Sequence, residues 1–425
     1  MKIYLDSIGC RLNQSEIEKY ANQFRAAGHE IVDQPGDADY VVINTCAVTA
    51  AAASDSRARI RRAARSHPAQ VVVTGCWATL DVQGAQSLPG VTRVVPNPRK
   101  DHLVTDLLNL PEEMFDLEPI ARAPLPGAHL RTRAFLKVQD GCDNHCTFCI
   151  TRIARGAGRS RSLNDVLLDL HSAVEGGAQE VVLTGVHLGS WGQDFEQAAA
   201  LYDLVAAILE HSPVARLRLS SLEPWDLDEH FFSLWSNPRL CQHLHLPLQS
   251  GCATTLRRMA RKTTPESFTG LAAAARAVAP HIAITTDVIV GFPGETEAEF
   301  EQSLAFVRSM DLAGGHVFTY SARAGTAAAR MPNQVPGPVR KERSAALRAV
   351  LAETGQCYRQ KFVGQVLPVL WESTNDYGPE GWRLHGLTHN YLRVTAVWPE
   401  RLWNQISAVR LDALSEDGMF GTIQV

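Results

Sequence analysis

The sequence predicts an α/β fold in three parts: a parallel α/β domain over 1–110, a partial (β/α)6 barrel over 128–357, and a small β-barrel module over 358–425. Three observations carry this. Apolar runs alternate with helix-like stretches through the first hundred residues; the alternation resumes in about six units after an irregular passage; and beyond a helix ending near Tyr358 the pattern changes to short apolar strands with turns.

In order along the chain, Lys2–Leu5 reads as a strand, a helix follows from about Gln14, Val41–Asn44 is a second strand, an Ala- and Arg-rich helix comes next, and Val71–Thr74 is a third strand. The Pro-containing passage from Pro111 to Gly127 has the composition of a linker. Strands are then predicted near Ala134–Val138, Glu180–Thr184, Arg216–Ser220, His243–Leu246, Ala283–Val290 and His316–Tyr320. Six units fall short of the eight that close a full barrel, so the barrel is partial. Gln365–Trp371, Tyr391–Ala396 and Gly421–Val425 are strands of the last module.

At 425 residues and 45% hydrophobic, the chain can bury more than one core. Its 41 Lys and Arg nearly balance 45 Asp and Glu, so any nucleic-acid surface must be local. MKIYLDSIGC has no apolar signal core, and no later run has the length needed to cross a bilayer, which leads us to expect a cytoplasmic protein with no membrane partner. In that compartment nine cysteines point to metal ligation rather than to a disulfide framework.

VQDGCDNHCTFCITRIARG places Cys142, Cys146 and Cys149 in a C-x3-C-x2-C arrangement directly after a predicted strand. Thiolates this close can wrap one metal cluster. Structural zinc and packed thiols are the alternatives, but zinc asks for a fourth ligand, and His145 lies between the cysteines where its reach to the same ion is poor. Three thiolates on a four-iron cluster leave one iron open, and a substrate can bind there. LTGVHLG (Thr184, Gly185, Gly189), SSLEP (Glu223) and HLPLQSG (Gln249) end later strands, on the side where such folds bind cofactors; turn-forming glycines are the plain alternative. GFPGET lacks a P-loop lysine and reads as a strand-to-helix turn with Glu295 or Thr296 near the cap.

Cys10, Cys46 and Cys76 are far apart in sequence, but each follows a predicted strand, in IYLDSIGC, VVINTC and VVVTGC. Parallel strand ends share one sheet edge, so their loops can bring three thiols to a common point. Buried structural cysteines are the alternative. Cys241, Cys252 and Cys357 fit neither set and read as packed or incidental thiols.

The C-x3-C-x2-C spacing resembles that of the radical S-adenosylmethionine superfamily, with Phe148 at the aromatic position that lies near the adenine. GCRLNQSE, INTCAVT and VTGC resemble the N-terminal domain of methylthiotransferases, which carry the radical motif downstream and an RNA-binding TRAM β-barrel at the end. The resemblance implies two 4Fe–4S clusters, one on Cys10, Cys46 and Cys76 and one on Cys142, Cys146 and Cys149. It also implies S-adenosylmethionine near Phe148, Thr184, Gly185, Glu223 and Gln249. In such enzymes the second cluster cleaves S-adenosylmethionine to a 5′-deoxyadenosyl radical, and the first carries the sulfur that is methylated and transferred; the sequence leaves the sulfur source open. Implied partners are tRNA, through an adenosine of the anticodon loop, and an electron donor such as flavodoxin or ferredoxin.

Within the family, LTGVHLGSWG and LSSLEP resemble the branch acting on threonylcarbamoyl-adenosine more than those acting on isopentenyl-adenosine or on an aspartate of a small-subunit ribosomal protein. His187 stands where we expect asparagine, and CITRIARG where CIIPYARG is commoner. A non-catalytic iron–sulfur electron carrier with an RNA-binding tail is the reading of a different class, and an open iron argues against it. In the last module Arg359, Lys361, Arg383, Arg393, Arg401 and Arg410 face a similar number of acids, so charge does not mark it as an RNA binder. Trp382, His385, Tyr391, Trp398 and Trp403 are candidates either to stack loop bases or to pack a core. Arg57, Arg59, Arg61, Arg62 and Arg65 on the Ala-rich helix either meet phosphate or form a solvated face.

Overall fold

The computed structural model describes residues 1–66, 70–115 and 132–424. Most of the expected linker, from residue 116 to Gly127, and Val425 lie outside the described residues.

Five parallel strands build the first sheet: β1 (Lys2–Ser7), β2 (Glu30–Val32), β3 (Tyr40–Thr45), β4 (Gln70–Gly75) and β5 (Val91–Val95), in the order β2-β1-β3-β4-β5. Because side chains alternate along a strand, Val42 and Val72 go to one face with Ile17, Tyr20 and Phe24 of the helix Arg11–Ala26. Val41, Ile43, Val71 and Val73 go to the other, under Ala53, Ile60 and Ala63 of the helix Ala50–Ser66. The first of these helices starts three residues earlier than its apolar pattern predicts, because Cys10 is extended (φ −82°, ψ 167°) and acts as its N-cap.

The central strands are β6 (Arg133–Lys137), a short hairpin of β7 (Gln139–Asp140) and β8 (Arg159–Ser160), then β9 (Glu180–Thr184), β10 (Arg216–Leu219), β11 (His243–His245), β12 (Ala283–Val290) and β13 (Gly314–Thr319). Apart from the hairpin they form two parallel sheets, β10-β9-β6 and β11-β12-β13, joined through the parallel bridges Leu217–Leu240 and Ser221–His245. This is the six-unit partial barrel. Leu136, Val181, Leu183, Leu217, Leu219, Leu244, Ile284 and Val288 belong to its core.

The C-terminal strands β14 (Val366–Gly378), β15 (Gly381–Thr388), β16 (Arg393–Trp398), β17 (Ile406–Leu414) and β18 (Met419–Ile423) close into a barrel in the order β14-β15-β16-β18-β17. Trp371, Leu384, Val394, Val409, Leu411 and Met419 fill it. It docks on the N-terminal ends of the central strands. Arg216 and Arg218, both without solvent exposure, share the buried carboxylate of Glu180 at 2.8 and 2.6 Å. Their Nη groups also donate to the carbonyls of Leu387, Thr388 and His389. Tyr391, one of the aromatics considered for base stacking, instead lies flat on His243 at 4.1 Å and accepts a hydrogen bond from Arg11. Among the described residues no helix is long and apolar enough to cross a membrane.

Candidate active site

The loops after β1, β3 and β4 carry Cys10, Cys46 and Cys76. Gly9 has φ +102°, and a Cβ there would lie 2.6 Å from Sγ of Cys46, so the Gly9–Cys10 turn and the Cys46 loop meet only because position 9 has no side chain. Asn13 ties the two loops together: its Nδ2 donates to the carbonyls of Ile8 (2.8 Å) and Thr45 (3.1 Å), and its Oδ1 accepts from the Cys10 thiol (3.6 Å). Cys76 begins the short helix Cys76–Leu80, and its Sγ receives N–H groups from Asn97 (3.8 Å) and Arg155 (3.3 Å). Arg155 also donates to Asn13 Oδ1 at 2.7 Å, so one guanidinium links the surroundings of Cys10 and Cys76. Burial pushes the Cys46 thiol up to about 11, and a metal must displace that proton to bind.

Arg155 belongs to the central domain, at the end of the helix Thr151–Arg155 that follows Cys149. Its Nη1 reaches Glu16 and Asp140, each at 2.9 Å. Lys100, fully buried, sits 2.6 Å from Glu16 and 2.5 Å from Asp140. Burial alone would raise the Glu16 carboxyl, but Arg155, Lys100 and Lys137 hold it down to about 2. The N-terminal and central domains are thus locked by a buried charge network lying between the two cysteine sets.

Cys142, Cys146 and Cys149 share the loop between β7 and β8. Gly141 (φ +71°) lets the loop close, since a Cβ there would fall 1.8 Å from the Ala157 carbonyl oxygen, and the Cys142 amide donates to the Gly156 carbonyl at 3.1 Å. The Cys149 amide bonds the Cys146 carbonyl at 3.1 Å. Thr147 is held from both sides, donating to Met259 and accepting from Ala328. Arg261 approaches Cys146 Sγ at 3.7 Å, is pinned by both oxygens of Glu223, and lies over the Trp225 ring at 4.5 Å. Phe148 packs edge-on to Phe292 at 6.4 Å.

Several residues singled out from the sequence have their polar atoms engaged within the chain. Thr184 donates its hydroxyl to the Leu136 carbonyl (2.9 Å), the space beside Gly185 holds Gln139, and Glu223 is taken by Arg261. Gln249 bridges to β12 through its backbone at positive φ (+71°), with its side chain half-buried. His187 donates its amide to Gln139 Oε1 of β7 (2.8 Å), and its ring contacts Asp226 at 2.7 Å and Asn144 at 3.3 Å. Burial disfavours its imidazolium, yet hydrogen bonds to Asp226 and Cys142 raise it to about 10. Arg155, Arg261, Asn144 and Asp226 were not legible as site residues, because each acts across a fold contact rather than within a motif.

Among the described residues no three His, Cys, Asp or Glu side chains are placed to hold a single metal ion, and His145, the fourth ligand considered for zinc, is exposed. The donor sets instead offer three thiols each, with an arginine N–H aimed at one sulfur of each set. That chemistry suits a cluster whose sulfur ligands accept hydrogen bonds.

Residues 2–95 match the family model described as Uncharacterized protein family UPF0004, and residues 136–307 match the Radical SAM superfamily. The threonylcarbamoyladenosine tRNA methylthiotransferase MtaB of Bacillus subtilis is 36% identical over 419 residues, covering 95% of this chain and 92% of that protein. Its counterpart from Thermotoga maritima is 34% identical, covering 98% and 96%. The tRNA-2-methylthio-N(6)-dimethylallyladenosine synthase of Maricaulis maris is 30% identical, covering 99% and 97%. Among solved structures, the radical S-adenosylmethionine methyltransferase TsrM from Kitasatospora setae superposes with a TM-score of 0.60 at 14% identity, covering 77% of each chain, a likeness of fold. With both family models in sequence and relatives aligned along nearly the whole length, the chain belongs to the radical S-adenosylmethionine methylthiotransferase family.

Proposed function

We propose that this enzyme adds a methylthio group to C2 of threonylcarbamoyl-adenosine in the anticodon loop of tRNA. The relatives named for that substrate are 34–36% identical, against 30–31% for those named for dimethylallyladenosine. The structural observation that carries the reading is Arg155: it bonds Cys76 Sγ of one cysteine set and sits on the helix leading out of the other, so two chemistries that must meet on one nucleotide are neighbours.

In this reading Cys10, Cys46 and Cys76 of the N-terminal domain (1–110) hold one 4Fe–4S cluster, and Cys142, Cys146 and Cys149 of the central domain (128–357) hold a second. When bound, these clusters supply the electron that cleaves S-adenosylmethionine and the sulfur that is transferred. The chain's own groups do the positioning. Arg155 and Arg261 direct N–H groups at Cys76 and Cys146, and at Cys146 the guanidinium opposes the burial that pushes the thiol up. S-adenosylmethionine is assigned to the surroundings of Phe148, Thr184, Gly185, Glu223 and Gln249; Thr184 and Glu223, already engaged by Leu136 and Arg261, would shape that site, and Gln249 has a half-buried side chain there. The C-terminal barrel (358–425) presents Trp382 between Tyr377 (5.0 Å) and Arg401 (4.0 Å), an outward aromatic and cationic surface suited to RNA bases. On the Ala-rich helix Arg59 is instead paired with Asp6 and Asp55, and Arg57 rests on Trp77. A cytoplasmic reductant such as flavodoxin or ferredoxin completes the system.

Anaerobically reconstituted enzyme with reductant and S-adenosylmethionine should methylthiolate tRNA bearing threonylcarbamoyl-adenosine, read by nucleoside mass spectrometry. Product only on dimethylallyl-adenosine tRNA would overturn the substrate assignment. Cys142→Ala should abolish 5′-deoxyadenosine formation, whereas Cys46→Ala should abolish transfer and retain some 5′-deoxyadenosine; the reverse pattern would exchange the roles of the two sets.

A further inference from the structure

Buried guanidiniums in this chain are answered by carboxylates. Arg155 has Glu16 and Asp140, Arg216 and Arg218 have Glu180, Arg261 has Glu223, and Arg343 has Glu295. Arg323, half-buried, is different: two of its three guanidinium nitrogens, Nε and Nη2, are shielded from solvent and have no hydrogen-bond partner among the described residues. Leaving charge-bearing donors dry and unpaired is costly, so such a group calls for an acceptor supplied from outside.

Its position narrows what that acceptor is. Arg323 lies on the loop that follows β13, which is fixed by two hydrogen bonds from Thr326 to the Arg323 carbonyl. The same loop abuts the cysteine-bearing segment, with Gly325 against Ile153 (a Cβ at Gly325 would lie 3.2 Å from Ile153 Cδ1) and the Ala328 amide bonded to Thr147. Through these contacts the Arg323 loop lies against the segment that carries Cys142, Cys146 and Cys149.

The chain just before it, Thr319, Tyr320 and Ser321 at the end of β13, lines a cleft of about 590 Å³ together with Arg340, Lys341 and Arg348, and no carboxylate lies in its wall. Arg340 lays its stem over Gly291, where a Cβ would come within 2.2 Å, which accounts for one glycine of GFPGET. Its Nη1 donates to the Tyr320 carbonyl, while its Nε and the Tyr320 hydroxyl are buried without partners. None of the cleft's three cations forms an ion pair among the described residues, and Arg323 follows Ser321 of the cleft wall closely in sequence, so the four make a cationic group around the end of β13 without an ion-pair partner among those residues.

We propose that this cationic group is an oxyanion track for the RNA substrate, with Arg323 taking one oxyanion of the target nucleotide next to the Cys142–Cys149 segment. The proposal rests on the tRNA reading above. Two sources carry that chemistry: a backbone phosphate of the target nucleotide, and the carboxylate of its threonylcarbamoyl substituent. The test measures binding of anticodon stem-loops to the anaerobic holoenzyme by fluorescence anisotropy across a salt series. One stem-loop carries the free acid and one the same group capped as a methylamide.

Arg323→Gln should weaken binding at least about 10-fold, as loss of a charged hydrogen bond does, and, if the acceptor is phosphate, lower the salt slope by about 0.7. Arg323→Lys should keep the slope. Loss confined to the free acid identifies the carboxylate; equal loss on both stem-loops identifies phosphate. Arg340→Gln should reduce the slope likewise, and it tests the track if the Arg323 variants lose iron or fold. Wild-type affinity and slope for both Arg323→Gln and Arg340→Gln would overturn the proposal. Wild-type enzyme that binds these stem-loops but fails to methylthiolate them would overturn the assigned reaction and leave the track standing.

Discussion

Replacing Arg155 by leucine removes a central-domain side chain that bonds the N-terminal domain at three points. Four contacts go at once: Glu16 and Asp140 at 2.9 Å, Asn13 at 2.7 Å and Cys76 Sγ at 3.3 Å. Breaking a buried ion pair from one side typically costs about 3–5 kcal/mol. Here the abandoned carboxylates keep Lys100 at 2.6 and 2.5 Å, so the loss should fall at the low end, about 3 kcal/mol, or roughly a hundredfold in the folded ratio. Because a chain of several domains does not unfold in two states, the sensitive assay is hydrogen exchange. Amides of the helices Arg11–Ala26 and Thr151–Arg155 should lose protection by about that amount, while those of the C-terminal barrel should not change. Arg155→Lys should recover only part, since an ammonium has no planar fork to serve four acceptors. Protection in Arg155→Leu within about 0.5 kcal/mol of wild type, below the cost of even an ordinary hydrogen bond, would refute the argument that this network locks the domains.

Gly9→Ala places a Cβ 2.6 Å from Cys46 Sγ in a left-handed backbone, so iron content should drop toward that of a single cluster while 5′-deoxyadenosine formation persists; full iron content would contradict the crowding argument. Glu180→Gln leaves Arg216 and Arg218 buried with no counter-charge, and about 3–5 kcal/mol of docking should go with it. Limited proteolysis should then cut near Gly364, between the last long helix and β14, in the variant before wild type. His389 offers a pH test: burial, then Arg216 and Arg218, lower its imidazole to about 4 from the model-peptide 6.5. The unfolded chain binds this proton more readily, so the stabilisation is complete above pH 6.5 and is lost as pH falls toward 4, about 3 kcal/mol in all. Thermal midpoints of His389→Gln should therefore be flatter over that window than those of wild type.

Interior parallel strands were plain in the sequence. Glu180–Thr184 and Ala283–Val290 have the bounds the sequence predicted: the first is buried throughout, and the second keeps apolar residues at both ends although Thr285, Thr286 and Asp287 interrupt the run. Short or edge elements were not: β2 has three residues, and β5 is an edge strand with exposed Thr92 and Arg93. β15 and β17 mix polar and apolar residues, which a small barrel tolerates and an apolar-run search passes over. Strand-end logic located Cys10, Cys46 and Cys76 on three loops of one sheet edge. It gave no hint of Arg155, whose partners Glu16 and Asn13 lie 139 and 142 residues away in sequence. Nor did motif reading show that Glu223 and Thr184 are already engaged by Arg261 and Leu136, since occupancy of a side chain is a property of the packed fold.

The clasp of Arg216 and Arg218 on the carbonyls of Leu387, Thr388 and His389 turns the C-terminal barrel from a tethered appendage into a gauge. The clasp grips β10 at its N-terminal end, so the barrel is held at a fixed span from the cysteine loops. On the proposed tRNA reading, an RNA touching both would be selected by the distance between its two contacts as well as by its chemistry. Loosening the clasp would then show as misplaced modification rather than as simple loss of affinity.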